Sequence, residues 1–279
     1  MVTSQAIADA VREAIVLAAT RLRPDVLAVL KVAATQERSE RARAVLGQLL
    51  DNARIAEADS VPLCQDTGYV WVLLEVGVHE CLSGDVQAAV DAAVAEAYST
   101  ARLRASIALD ALLDRTNTGD NTPAFVDISF REGSGVTVNV MLKGGGSDNA
   151  SVVRMLAPGE GEEGVRRLVL DVVTHSAAGA CPPLIVGVGV GATFDKVGGL
   201  AKKALLREVG TVHPDPRAAE LERRLLADIN ATGIGPAGLG GDTTALAVHV
   251  ATAACHIAAL PVAVNMGCSA VRTARVEVA

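Results

Sequence analysis

The sequence predicts a mixed α/β (α+β) fold, a sheet of short strands packed by many helices in a single compact unit. Two observations carry this. Apolar residues recur at helical spacing in several long segments, and between them stand short β-branched runs bounded by glycine. A third bounds the size of the core: the 279 residues are 50% hydrophobic and 20% charged, which is globular composition. Aromatic residues make up only 2%, so the core must be built from Ala, Val, Leu and Ile.

The N-terminal segment, residues 1–58, reads as helical. Ile7, Val11 and Ile15 share one face, Pro24 marks the start of a second helix, and residues 36–57 form a third. Residues 69–76 form a buried strand between Gly68 and Gly77, and residues 85–113 return to helix. Strands at 125–131 and 136–142 are joined by Glu132-Gly133-Ser134-Gly135, a hairpin signal. A helix (163–177), a strand (184–190), a helix (196–208) and a charged helix from His213-Pro214-Asp215-Pro216 to Ala231 follow. The stretch Gly233–Gly241 opens a helix over 243–259, and Pro261-Val262-Ala263-Val264 is a last short strand.

Composition also excludes classes of function. With Lys+Arg 25 against Asp+Glu 32 the formal net charge is -7, so no basic excess exists to displace counterions from nucleic acid. No apolar run is long enough to span a membrane and no secretory layout opens the chain. Five cysteines without an export signal indicate a reducing, cytoplasmic setting and free thiols or metal ligands rather than disulfides.

Three cysteines sit at breaks between elements: Cys64 before a strand, Cys181 between helix and strand, and Cys268 after a strand. Turns let sulfurs converge, so the three are candidates for one metal or cluster; the alternative is three unrelated buried thiols. No local CxxC framework is present. Cys81 and Cys255 read as structural. His249 and His256 lie seven apart on the expected helix, too far to share an ion. His256 alone is either a catalytic group or a packing residue. Gly187–Gly191 lacks the dinucleotide-binding register and reads as a close-packing turn. Gly144-Gly145-Gly146 is either a nest of amide donors for a carboxylate or a flexible turn. Arg104 is either a carboxylate clamp or part of a solvated face.

Taken together, several stretches resemble the α-subunit, or N-terminal part, of the class I (iron–sulfur) fumarate hydratase and L-tartrate dehydratase family. They are Pro62-Leu63-Cys64-Gln65-Asp66-Thr67-Gly68, Leu103-Arg104-Ala105-Ser106, Asn117 through Pro123, and Lys143 through Ser147. Further matches run from Cys181-Pro182-Pro183 through Thr193, Ala201 through Leu205, Gly235 through Gly241, and His256 through Cys268. The resemblance covers about residues 45–275. It implies a hydro-lyase acting on a four-carbon dicarboxylate, with (S)-malate and fumarate first and L-tartrate as the alternative. It implies that Cys64, Cys181 and Cys268 hold a [4Fe–4S] cluster with one iron free of protein ligand. It also implies that Gln65, Arg104 and Gly146 contact substrate, and that Asp66 and His256 transfer protons or orient the hydroxyl. The family's C-terminal portion, with further arginines, a lysine and a threonine, is absent here. A β-subunit is therefore expected to complete the site, in an α2β2 assembly without nucleic acid or membrane. A non-catalytic iron–sulfur sensor is the reading from another class.

Overall fold

Local signals in the sequence start the first helices. The computed structural model describes residues 1–279. After a two-residue strand, β1 (Val2–Thr3), the Thr3 side chain accepts the Ala6 amide at 3.2 Å and caps α1 (Ser4–Thr20). That bond satisfies one of the amides a helix start leaves unpaired. Pro24 opens α2 (Pro24–Gln36), where its missing N–H is not needed, and α3 (Glu40–Asp59) follows. The chain continues through β2 (Tyr69–Gly77), β3 (Leu82–Ser83), α4 (Val86–Thr100), β4 (Phe125–Arg131), β5 (Val136–Lys143) and α5 (Gly145–Asn149). Then come β6 (Val152–Leu156), α6 (Gly161–Ser176), β7 (Leu184–Ala192), α7 (Phe194–Ala204) and α8 (Pro216–Ala231). The last strands are β8 (Ala245–Cys255), β9 (Leu260–Gly267) and β10 (Thr273–Val278). No helix is long and apolar enough to cross a membrane.

The mixed helix-and-sheet class is as expected. The chain divides into two compact units, because it builds two separate four-stranded sheets, each with its own apolar cluster.

The first unit comprises Met1–Arg23, Ala53–Gly145 and Arg272–Ala279. Its sheet has the order β10-β5-β2-β4. The strands expected to form a hairpin, β4 and β5, are both present but do not pair with each other. β2 lies between them, parallel to β4 (Val72 opposite Val126) and antiparallel to β5 (Val72 opposite Val140). The reason lies in β2 itself: it is buried along most of its length, as a central strand with partners on both edges must be. Val72 and Leu74 of β2, Val138 and Val140 of β5, Ile7, Val11 and Ile15 of α1, and Val90 and Val94 of α4 are all fully buried together. Each such side chain contributes about 1.5–3 kcal/mol relative to exposure.

Helix α4 stops at Thr100, thirteen residues short of the expected end at Leu113. Arg102 takes a left-handed conformation (φ 54°) and the Leu103 amide bonds back to the Tyr98 carbonyl at 2.9 Å. That pattern closes a helix C-terminus. Arg102 and Arg104 are therefore on an irregular segment, not on a helix.

The second unit comprises Pro24–Asn52 and Gly146–Val271, with the sheet order β6-β9-β7-β8. β7 is parallel to β8 and antiparallel to β9. Glycine is required at two points of β7 because α7 lies so close. A Cβ on Gly187 would fall 2.2 Å from the Ala201 carbonyl oxygen, and one on Gly189 would fall 2.6 Å from that of Val197. The glycine run thus serves close packing. Val169 and Val173 of α6 and Leu225 and Ile229 of α8 complete the core against Val186 and Val188.

The expected helix over 243–259 is instead strand β8. Its residues Ala245–Val250 are buried in the sheet, and Glu222 of α8 accepts the Val250 amide at 2.7 Å. His249 and His256 consequently do not share a helix face. His249 is buried, with Nδ1 3.2 Å from the Ala204 carbonyl, and His256 lies exposed in the turn after β8.

Candidate active site

In the first unit the loop between α3 and β2 carries Cys64-Gln65-Asp66-Thr67 and is tied down at almost every residue. Asp66 Oδ1 accepts the Gly68 amide at 3.1 Å, a side-chain-closed turn that aspartate forms readily. Asp66 Oδ2 accepts the Gly145 amide at 2.9 Å. The glycine-rich stretch therefore does present an amide to a carboxylate, and in the first unit that carboxylate is the protein's own. Gly144 leaves little room here, since a Cβ would lie 3.1 Å from Asp66 Oδ2 and 3.2 Å from Arg272 Nη2.

The irregular segment after α4 brings Arg104 to the same loop. The Thr67 hydroxyl donates to the Arg104 carbonyl at 2.5 Å, and Arg104 Nη1 donates to Gln65 Oε1 at 2.9 Å. Arg104 Nη2 lies 3.8 Å from Asp66 Oδ1, and the arginine side chain remains 60% exposed. Gln65, Asp66 and Arg104 thus form one polar cluster beside Cys64, with a guanidinium fork turned to solvent. An arginine in that setting offers a carboxylate ligand two parallel N–H donors.

Three residues that the sequence reading did not single out hold this loop from behind. Tyr98 is buried and its hydroxyl lies 3.1 Å from the Thr67 carbonyl and 2.9 Å from that of Gly68. Burial pushes its ionisation well above the ordinary tyrosine value, outweighing the opposing influence of Arg272, so it stays a donor. Asn121 is fully buried in a left-handed conformation; its Nδ2 donates to the Gly68 carbonyl at 3.2 Å and its Oδ1 accepts the Ser106 amide at 2.7 Å. Arg272 is buried and its Nη1 donates to the Asp66 carbonyl. Asn121 stood within a quoted motif, but nothing in the sequence marked Tyr98 or Arg272.

In the second unit a different set gathers at one end of the sheet. Cys181 follows the short turn Ala177–Ala180 in a left-handed conformation and Cys268 follows β9; the Ser269 amide donates to the Cys181 carbonyl at 3.0 Å. Cys181 is exposed and Cys268 half-buried. Gly146 belongs to the same end, where a Cβ would fall 2.9 Å from the Gly179 carbonyl oxygen. The second glycine-rich stretch docks there too, the Ala237 amide donating to the Pro182 carbonyl at 2.8 Å.

His256 does not join them. Leu184 pairs with Ala245 at the cysteine end of the sheet, whereas Ala192 pairs with Cys255 at the other. His256, the next residue, lies about 25 Å from the cysteine end along the strand direction.

All five cysteines are free thiols. Neither unit by itself gathers three His, Cys, Asp or Glu side chains around one metal ion. A [4Fe–4S] cluster asks for something else, one thiolate on each of several irons. Cys64 lies in the loop before β2, Cys181 in the turn before β7 and Cys268 directly after β9, all half-buried or exposed, and this donor set suits that group. Cys81 and Cys255 are both exposed, and Cys255 Sγ donates to the Ala259 carbonyl at 3.3 Å.

A family model described as fumarate hydratase (fumerase) matches residues 8–277. A Methanocaldococcus jannaschii protein, provisionally named L(+)-tartrate dehydratase subunit alpha, is 39% identical over 275 residues, 96% of each chain. The L(+)-tartrate dehydratase subunit alpha of Escherichia coli strain UTI89 is 37% identical over 264 residues, 93% of this chain and 86% of that one. Its counterpart from strain K12 is 37% identical over 258 residues, covering 91% and 84%.

Proposed function

The chain belongs to the fumarate hydratase family and is a hydro-lyase, and from that premise we propose that it is the α-subunit of an iron–sulfur enzyme of four-carbon dicarboxylates. The observation that supports this most is the cluster that Arg104 forms with Gln65 and Asp66, the two residues directly after Cys64. The first reading of the reaction is reversible hydration of fumarate to (S)-malate. The names of the relatives favour a second, dehydration of L-tartrate.

In this reading Cys64, Cys181 and Cys268 hold a [4Fe–4S] cluster. Bound there, it supplies an iron without a protein ligand, a Lewis acid for substrate oxygens. The remaining work falls to side chains. Arg104, its fork oriented by Gln65, binds one substrate carboxylate and stabilises the negative charge that grows on it as the neighbouring C–H bond weakens. Asp66, held by the Gly68 and Gly145 amides, keeps a fixed carboxylate at the hydroxyl and can move a proton there. Gly146 gives close approach to substrate through its backbone. The position of His256 gives it no part beside Cys181 and Cys268 of its own unit, and we assign it none there.

The relatives are named as alpha subunits, and this chain works with a β-subunit, doubled about a two-fold axis as α2β2. The partner supplies the carbon base and further cations, and its closure excludes water and strengthens the electrostatics within. The assembly acts in the cytoplasm, where free thiols persist.

The test is kinetic. Arg104→Lys keeps the charge and loses the fork, removing about 1.5–3 kcal/mol of binding. In the αβ complex KM for fumarate, malate or L-tartrate should rise about tenfold or more and kcat should fall as well, since the lost bonds also meet the charge that grows in the transition state. Unchanged KM for all three would remove Arg104 from the site, and inertness of the unaltered complex to all three would end the hydro-lyase reading of these substrates.

A further inference from the structure

Arg272 is a buried cation that forms no ion pair. The residue is 3% exposed, four positions after Cys268 and one before β10. Its guanidinium makes a single hydrogen bond, from Nη1 to the backbone carbonyl of Asp66, and its Nε has no acceptor. The Asp66 carboxylate beside it is taken up by the Gly68 and Gly145 amides and forms no ion pair with it. Burying a guanidinium without a close ion-pair partner is unfavourable. A fold keeps such a group where a negative charge arrives with a ligand.

The place of that charge is specific. Asp66 is two residues from Cys64, so the guanidinium is anchored to the backbone of the loop that presents this thiol. Its own backbone is anchored as well, its carbonyl accepting the Leu142 amide at 2.9 Å at the end of β5. An iron–sulfur core held by three thiolates is anionic as a whole, since the thiolates outweigh the positive charge of the core. A fixed cation at short range in a low-dielectric surrounding stabilises it, and more strongly the more reduced it is.

We propose that Arg272 is the positioning residue of the 64–67 loop and the buried counter-charge of the cluster that Cys64 helps to hold. This rests on the iron–sulfur reading above. The bond to the Asp66 carbonyl fixes the direction in which Cys64 and Asp66 leave the backbone. The unpaired charge lowers the cost of gathering thiolates there. Arg272 touches no substrate in this account, and its effect is on the cluster.

The experiment uses the full chain, reconstituted anaerobically with iron and sulfide, as the unaltered protein, Arg272→Lys and Arg272→Gln. Iron content and the cluster's midpoint potential are measured, with far-UV circular dichroism to follow the fold. Arg272→Gln should either lose most of its bound iron or hold a cluster with a lower midpoint potential, because reduction adds negative charge that is no longer offset. Arg272→Lys, which keeps the charge, should stay close to the unaltered protein in both. If Arg272→Gln loads iron fully at an unchanged potential, the proposal is overturned while the iron–sulfur reading stands. If Arg272→Lys falls as far as Arg272→Gln, the role is one of shape and the counter-charge is refuted. Unaltered protein that takes up no cluster overturns the iron–sulfur reading itself, and this proposal with it.

Discussion

Asp66 Oδ2 accepts the Gly145 amide at 2.9 Å across 79 positions of sequence. Together with the Gly68 amide on Oδ1, this sets the carboxylate in one orientation before any substrate arrives. Preorganisation of this kind is what a proton-transfer group needs. Asp66→Asn removes the base, and its NH2 group must face one of two amide donors. We expect kcat of the αβ complex to fall about 10²–10⁴-fold, with the iron–sulfur absorption retained. Loss of absorption together with activity would instead make Asp66 a structural support of the loop.

The cysteines separate into two groups with opposite expected behaviour. Serine at Cys64, Cys181 or Cys268 should abolish the visible iron–sulfur absorption of anaerobically prepared protein. Cys81→Ser and Cys255→Ser should leave it unchanged, since both lie outside the matched ligand positions. The reverse outcome at Cys81 or Cys255 would show that the ligand assignment is wrong.

Stability of the second unit depends on one buried ion pair. Arg207 meets Glu222 through two bonds of 2.7 and 2.6 Å, and Glu222, only 8% exposed, also accepts the Val250 amide. Glu222→Ala removes both bonds of the pair and the acceptor of an amide of β8, at a cost of about 3–5 kcal/mol. Arg217 and Asp215 are joined just as closely, but the arginine side chain is 90% exposed, so Arg217→Ala should cost under about 1 kcal/mol. Denaturant unfolding of the two variants measures the contrast, and equal losses would contradict it.

Acid should loosen the second unit at a definite place. The Arg38 guanidinium, bonded twice to Asp242 at 2.7 Å, holds that carboxyl down at about 2. A folded-state value below the ordinary one gives stabilisation that is complete at neutral pH. It is lost as pH falls from about 4 to about 2. Arg38→Ala should flatten the decline of melting temperature in that window and leave the curve above pH 5 parallel to that of the unaltered protein. An unaltered slope between pH 4 and 2 would exclude the pair as a source of acid sensitivity.

What could be read in advance follows the range of the interactions involved. The helices of residues 1–58 and strands β2, β4, β5 and β7 were legible because caps, glycine boundaries and apolar periodicity are local. The pairing of β4 and β5 was not, since the insertion of β2 between them is decided by burial on both its edges. β8 was misread because its five alanines favour a helix in isolation, while packing beneath α8 and beside β7 selects the strand. Gln65, Asp66 and Arg104 were legible as motifs and the fold brings them together. Tyr98 and Arg272 were not, because their importance lies in whose carbonyl they reach, and that is visible only after folding.

The central claim is that this chain carries part of a dicarboxylate hydro-lyase site that a β-subunit completes. The most direct measurement is a titration of purified β-subunit into anaerobically reconstituted α-chain, following hydration of fumarate and dehydration of L-tartrate. The account predicts negligible turnover without the β-subunit and activity on one of these substrates that saturates at equal stoichiometry. Full turnover by the α-chain alone, or none on either substrate at any ratio, would contradict it.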